Sequence, residues 1–205
     1  MNEAGKNSYA DCDHRTGNVG SAIALGLKNK GHAVTLGARD PEATKVTALG
    51  LETGAGVALP AEATATADVV ILALPWATAD GAMNPLGMIG STLGLTVGHD
   101  TSGGEIVQGW LPDALVVKTL NQVGAEIMAN TAALPHRPVM FMAGNDVAAK
   151  AGVAQVLADL GFEALDAGDI SKARLLEPFG MVWINQAIFR GKGRNWAFAA
   201  IEAST

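Results

Sequence analysis

The chain has 205 residues, 49% of them hydrophobic and 17% charged, with 25 glycines and a net charge of -6. This suits one compact, turn-rich α/β domain and excludes a disordered chain, and the acidic balance offers no basic footprint for nucleic acid or an anionic membrane. Cys12 is the single cysteine, which rules out an intrachain disulfide or a cysteine metal cluster and fits a reducing compartment. No apolar run approaches the about 20 residues of a membrane span, and "MNEAGKNSYADCDHR" lacks the apolar segment of a secretory signal, so a cytoplasmic location is expected.

In chain order, "GSAIALGLKNKGH" (Gly20 to His32) places Ile23, Ala24 and Leu27 at helical spacing and stops at Gly31. "AVTLGAR" (Ala33 to Arg39) alternates and predicts a strand. "DPEATKVTALGLETG" predicts a short helix with Asp40 as cap and Pro41 in its first position. "DVVILALP" (Asp68 to Pro75) is the continuous apolar run of a strand buried on both faces, and so a central one. "ALVVKT" (Ala114 to Thr119) and "PVMFMAG" (Pro138 to Gly144) predict two more strands, each leading to a helix, over 123–129 and 146–160. "GFEALDAG" (Gly161 to Gly168) reads as a last, edge strand. The stretch from Ser171 reads as helix to the C-terminus, with Leu176, Met181, Ile184 and Ile188 for a side buried against the sheet or a partner subunit. Such alternation of strands and helices predicts a doubly wound, mainly parallel sheet with C-terminal helices, in a single domain spanning 1–205.

The chemistry concentrates in "TGNVGSA". A dinucleotide's pyrophosphate needs backbone N–H groups at a helix N-terminus, and glycine wherever a Cβ would block close approach. Gly17 and Gly20 supply the second and third glycines of GxGxxG, whereas Arg15 holds the first position. About 20 residues on, where an acidic residue would select NAD, the chain reads "LGARD", with small Ala38 and then Arg39 suited to a 2′-phosphate, which favours NADP. Other candidates read as structure: Ser102 and Glu105 fit a capping box rather than a triad with His99. The four histidines lack metal-ligand spacing, so no metal is expected. "RGKGR" (Arg190 to Arg194) reads as a solvated loop, and Trp183, Phe189, Trp196 and Phe198 as core or dimer interface.

"TGNVGSAIALGL", "GHAVTLGARDPEA", "ADVVILALPW", "VVKTLNQVGAE", "RPVMFMAGND" and "ARLLEPFGMVWI" together resemble the NADP oxidoreductases related to NADPH-dependent coenzyme F420 reductase. The resemblance runs from Thr16 onward. It implies a Rossmann-like NADP(H)-binding domain passing hydride between the nicotinamide and a small-molecule redox partner, the deazaflavin F420 or a flavin. It puts Thr16, Gly17, Asn18, Val19 and Gly20 on the pyrophosphate and Ala38 and Arg39 on the adenosine phosphate. It puts Leu74, Pro75 and Trp76 on the nicotinamide side, and it retains Asn84. Asn121 and Gln122 fall at a strand end, either facing the second substrate or serving as turn or cap. Hydride transfer between two bound cofactors rests on proximity, so no catalytic residue is assigned. Two other functions stay open: a non-catalytic NADP-binding sensor or scaffold, and a pyrroline-carboxylate or imine-type reductase, although the latter usually adds a long helical dimerisation domain. A homodimer is admitted.

Two departures from the family stand out. Only "ATADGAM" separates Trp76 from Asn84, where a full helix-and-strand crossover of about 20 more residues is expected. In addition, "YADCDHR" (Tyr9 to Arg15) replaces the apolar first strand. Read one nucleotide into the Tyr9 codon, the allowed codons spell Met-Arg-Ile-Ala-Ile-Ile and the start of Gly, which points to a shifted reading frame over 1–15. Burying those charges would be costly, so the segment is expected to pair poorly or lie outside the sheet. The variant Y9M/A10R/D11I/C12A/D13I/H14I/R15G is accordingly expected to bind NADPH more tightly than the chain as it stands. Equal affinity in a fluorescence titration would overturn that expectation, and codons incompatible with the shifted reading would overturn the frameshift.

Overall fold

The computed structural model describes residues 18–73, 95 and 97–203, together with the backbone of a strand over Asn7–Asp11. The chain divides into two compact units, 1–79 and 80–205. No helix among the described residues is long and apolar enough to cross a membrane.

The first unit runs β1 (Asn7–Asp11), α1 (Asn18–Lys28), β2 (Ala33–Gly37), α2 (Thr44–Thr53), β3 (Gly56–Ala58), α3 (Pro60–Ala65) and β4 (Val69–Ile71). Its strands form a sheet of order β3-β2-β1-β4, parallel throughout. α1 buries Ile23, Ala24 and Leu27 and ends before Gly31, which takes the left-handed φ of 83° that the turn into β2 requires. β2 alternates as a strand should, with Val34 and Leu36 buried and Ala33 exposed.

Several expectations give way here. Asn7–Asp11 does not lie outside the sheet: it pairs along all five residues with β2 and over Ser8–Ala10 with β4. Ladder bonds use backbone groups that every residue carries, so a polar sequence can still fill the place between two strands that need a partner. Residues 12–15 of the same stretch lie outside the described residues, as does the shortened crossover after Trp76. Among the described residues β4 is the outer strand of the sheet where a central one is expected, with Val70 and Leu72 exposed, because an apolar run records what a strand can bury and not what covers it. α2 begins at Thr44 rather than Pro41, since the Ala43 N–H closes a turn onto the Asp40 carbonyl instead. β3 and α3 had no counterpart in the sequence reading; Pro60 opens α3, and Glu62 reaches back to the Leu59 N–H at 3.1 Å.

The second unit contains α4 (Gly103–Trp110), β5 (Val117–Lys118), α5 (Ala125–Ala129), β6 (Val139–Gly144), α6 (Val147–Asp159), β7 (Glu163–Asp166) and α7 (Ala173–Ile184), followed by a π-helical turn over Asn185–Phe189. Its sheet has the order β5-β6-β7, with β7 the parallel edge strand as expected. β5 is shorter than predicted and antiparallel, pairing only with Ala143 and Gly144. The carboxyl end of β5 therefore points toward the amino end of β6. After it the chain turns through Leu120 in the left-handed region, φ 58°, at a cost of about 1 kcal/mol.

That turn brings Gln122, fully buried, against the open flank of β6. Its amide accepts from the Phe141 N–H at 3.0 Å and donates to the Phe141 carbonyl at 3.2 Å, doing the work of a peptide group in the missing strand. Thr119 Oγ1 also donates to that carbonyl, at 2.9 Å. Farther along the flank, the Val139 N–H donates to the Phe198 carbonyl at 2.9 Å.

α7 buries Ala173, Leu176, Glu177, Gly180 and Trp183, a face set by its small residues. A Cβ on Gly180 would stand 2.6 Å from the Asn121 carbonyl oxygen, so only glycine allows this approach. Met181 and Ile184 are half-buried and Ile188 is exposed, unlike the buried side expected for them. Helix also stops at Phe189 rather than continuing to the C-terminus, because Gly191 and Gly193 adopt left-handed φ values of 71° and 80°.

Gln122→Leu keeps the bulk but leaves the Phe141 N–H and carbonyl without the amide. A loss of about 2–3 kcal/mol in denaturant unfolding is expected, and a loss below about 0.5 kcal/mol would deny Gln122 its strand-like role.

Candidate nucleotide-binding site

The register of the first sheet sets the geometry. Asp11 pairs with Gly37, Gly37 with Ala58, and Ala10 with Ile71, so all four strands finish close to one level at their carboxyl ends. That edge, outside the carboxyl ends of parallel strands, is where open α/β sheets receive ligands. α1 starts from it, after the connection that leaves β1.

Asn18 is exposed, Val19 half-buried and Gly20 buried in the first turn of α1. No acidic residue stands in that first turn of α1, where the helix dipole favours an anion. Ala38, just past β2, is buried and donates its N–H to the Ala58 carbonyl at 2.9 Å. This bond ties the β2 end to β3 and turns the next residue, Arg39, outward to solvent on the same edge. Asn18, Val19, Gly20, Ala38 and Arg39 are thus gathered at one edge of one unit. Thr16, Gly17, Leu74, Pro75, Trp76 and Asn84 lie outside the described residues. The donors present, backbone N–H groups and the Arg39 guanidinium, fit a phosphate-bearing dinucleotide.

In the second unit Ser102 caps α4, its Oγ accepting from the Glu105 N–H at 3.2 Å, as the spacing predicts. The Glu105 carboxylate returns to the Ser102 hydroxyl rather than to its backbone, at 2.8 Å. Arg174 also grips Glu105, through Nε at 2.9 Å and Nη2 at 2.6 Å.

Sequence reasoning missed Glu177. It is buried, accepts from the Gly103 and Gly104 N–H groups at 3.0 and 3.2 Å, and pairs with Lys118 Nζ at 3.2 Å. One carboxylate thereby joins α7, the N-terminus of α4 and the end of β5. Its only sequence signal is an acid on the same helix face as Ala173 and Gly180.

Asn121 Nδ2 donates to the Leu176 carbonyl at 2.8 Å and Gln122 serves β6, which favours a turn role over a substrate-facing one for the pair. Of the "RGKGR" residues, Arg194 pairs with Glu126 at 2.7 Å.

Parallel order, level strand ends and a helix N-terminus at their carboxyl edge define a Rossmann-like α/β protein. The family model described as NADP oxidoreductase, coenzyme F420-dependent, matches residues 16–92. A protein from Arthrobacter sp. FB24, provisionally assigned as an F420-dependent NADP-reductase, is 31% identical with a TM-score of 0.80, covering 97% of this chain and 100% of its own. On that likeness, the chain belongs to the family of coenzyme F420-dependent NADP oxidoreductases. Two more distant structures share the fold. A hypothetical protein from Sinorhizobium meliloti is 22% identical with a TM-score of 0.63, over 82% of this chain and 88% of that one. A reductive aminase from Aspergillus terreus, in complex with NADPH and ethyl-5-oxohexanoate, is 20% identical with a TM-score of 0.61, over 91% and 63%.

Arg174 holds the Glu105 carboxyl below its ordinary value of 4.5, opposed by partial desolvation and helped by the Ser102 hydroxyl. A depressed folded value contributes stability above the unfolded value, and that contribution is lost as pH falls through the folded one. Glu105→Gln is expected to cost about 1 kcal/mol or less near pH 7, and the gap from the unmodified protein should close as pH drops below 4.5. A gap in unfolding midpoint that stays constant down to acid pH would contradict this.

Proposed function

We propose that the protein is an NADP(H)-dependent oxidoreductase that passes hydride between the nicotinamide and a small-molecule redox partner, coenzyme F420 or a flavin. The single observation that carries the reading is the level carboxyl edge of the first sheet, with the start of α1 and the exposed Arg39 both on it. Family membership supports the reaction class.

In this reading the N–H groups of Asn18, Val19 and Gly20, with Thr16 and Gly17 before them, hold the pyrophosphate. Ala38 leaves room for the adenosine, and the Arg39 guanidinium holds the 2′-phosphate. Leu74, Pro75, Trp76 and Asn84 flank the nicotinamide ribose. When bound, NADP(H) supplies or accepts the hydride. The chain's task is to fix the angle of approach and keep water out, so no side chain need serve as acid or base. We treat 1–205, which comprises two compact units, as one NADP-binding domain in function. We place it in the cytoplasm, and the exposed Leu175 and Val182 on α7 suit a homodimer.

A second reading, a non-catalytic NADP-binding sensor, is favoured by Arg15 in the place of the first glycine. Fluorescence titration tests the site: Arg39→Ser should weaken NADPH binding about 10- to 100-fold, the worth of a charge-assisted hydrogen bond, and leave NADH binding unchanged. Unaltered NADPH affinity would remove Arg39 from the site. NADPH oxidation should proceed with F420 or a flavin. Intact binding without turnover against F420, flavin, quinone or imine would favour the sensor.

A further inference from the structure

Residues 190–203 carry no regular secondary structure, yet they complete the flank of β6. They are attached at separate points, among them the Trp183–Trp196 ring stack at 6.0 Å and Arg194 5.8 Å from the Trp183 ring. At the root, the Lys192 and Gly193 N–H groups donate to the Gln186 and Ala187 carbonyls at 2.9 and 3.1 Å. Arg194 makes its 2.7 Å pair with Glu126, both side chains 43% exposed, a setting in which an ion pair holds weakly. Trp183 Nε1 donates to the Trp196 carbonyl at 3.0 Å. The Phe198 carbonyl takes the Val139 N–H, and its ring packs 4.5 Å from Phe179 and 5.1 Å from Trp196, centroid to centroid.

Two features make release cheap. Gly191 and Gly193 sit at left-handed φ with nothing within 4 Å of where a Cβ would stand, so their conformation serves the bend and not packing. The Trp196 indole N–H is buried with no hydrogen-bond partner among the described residues, and it regains one from water once the segment leaves.

We infer that residues 190–203 form a strap, hinged at Gly191 and Gly193, that undocks from β6 as a unit while the rest of the second unit stays folded. The opened state uncovers the Val139 N–H and the faces of Phe141 and Phe179, which pack edge-on at 5.6 Å beneath the strap. Strap opening is a property of this unit alone and does not depend on the assigned cofactor.

Residue-resolved hydrogen exchange on the full chain tests it, because Val139 is bonded to the strap whereas Gly144, on the β7 side, donates to Gly168. In the unmodified protein the Val139 amide should exchange at least tenfold faster than Gly144 and with a weaker dependence on denaturant. Phe198→Ala should speed Val139 a further tenfold or more and leave Gly144 unchanged. If Val139 and Gly144 exchange at one rate with one denaturant dependence, the strap opens only by global unfolding and the inference fails. It also fails if Phe198→Ala leaves Val139 unaltered. Should that variant not fold, the denaturant dependence of the unmodified protein decides alone.

Discussion

A β-strand in the middle of a sheet needs hydrogen-bond partners on both flanks, and β6 meets that need in two different ways. On one side β7 runs parallel to it along four residues. On the other, β5 reaches only Ala143 and Gly144, the Gln122 amide and Thr119 hydroxyl serve Phe141, and the Phe198 carbonyl serves Val139. Much of the second unit follows from this patchwork. Leu120 is strained because the chain must double back for Gln122 to arrive. Asn121 is then carried against α7 closely enough that Gly180 cannot bear a side chain. Glu177, one residue beyond the carbonyl that Asn121 holds, locks the same helix to α4 and Lys118.

The first unit answers the same requirement with regular pairing alone. Its strands run parallel in one direction and stop together, which presents backbone and side-chain donors along a single edge. Regular pairing suffices there, whereas in the second unit separate contacts from several segments seal the flank of β6.

Local signals in the sequence were read well. Gly31 stops α1 and Ser102 caps α4, each within a few residues of the helix it governs. Arg39 lies just past β2, which ends at Gly37 and not at Arg39 as predicted, because strand length and turn position are largely local. Long-range partners were not legible. Gln122 meets Phe141 across 19 residues and Glu177 meets Gly103 across 74, and no periodicity announces either. The exposure of β4 was misread for a related reason, since hydrophobicity states a preference and leaves the neighbour unspecified. The polar letters of Asn7–Asp11 misled in the opposite direction: they describe side chains, while the place between β2 and β4 is secured by backbone.

The scattered origin of the partners of β6 also bears on the order in which the unit can form during synthesis. A nascent chain that has released Gly144 already holds β5, Gln122 and the whole of β6, but not β7 and not Phe198. β7 can cover one flank of Val139 once some 22 further residues have emerged, but the other faces water or whatever binds exposed strands until Phe198 follows, 54 residues after Gly144. The unit is therefore completed from its last segment backward, and the interval before that segment arrives is when a chaperone has most to shield.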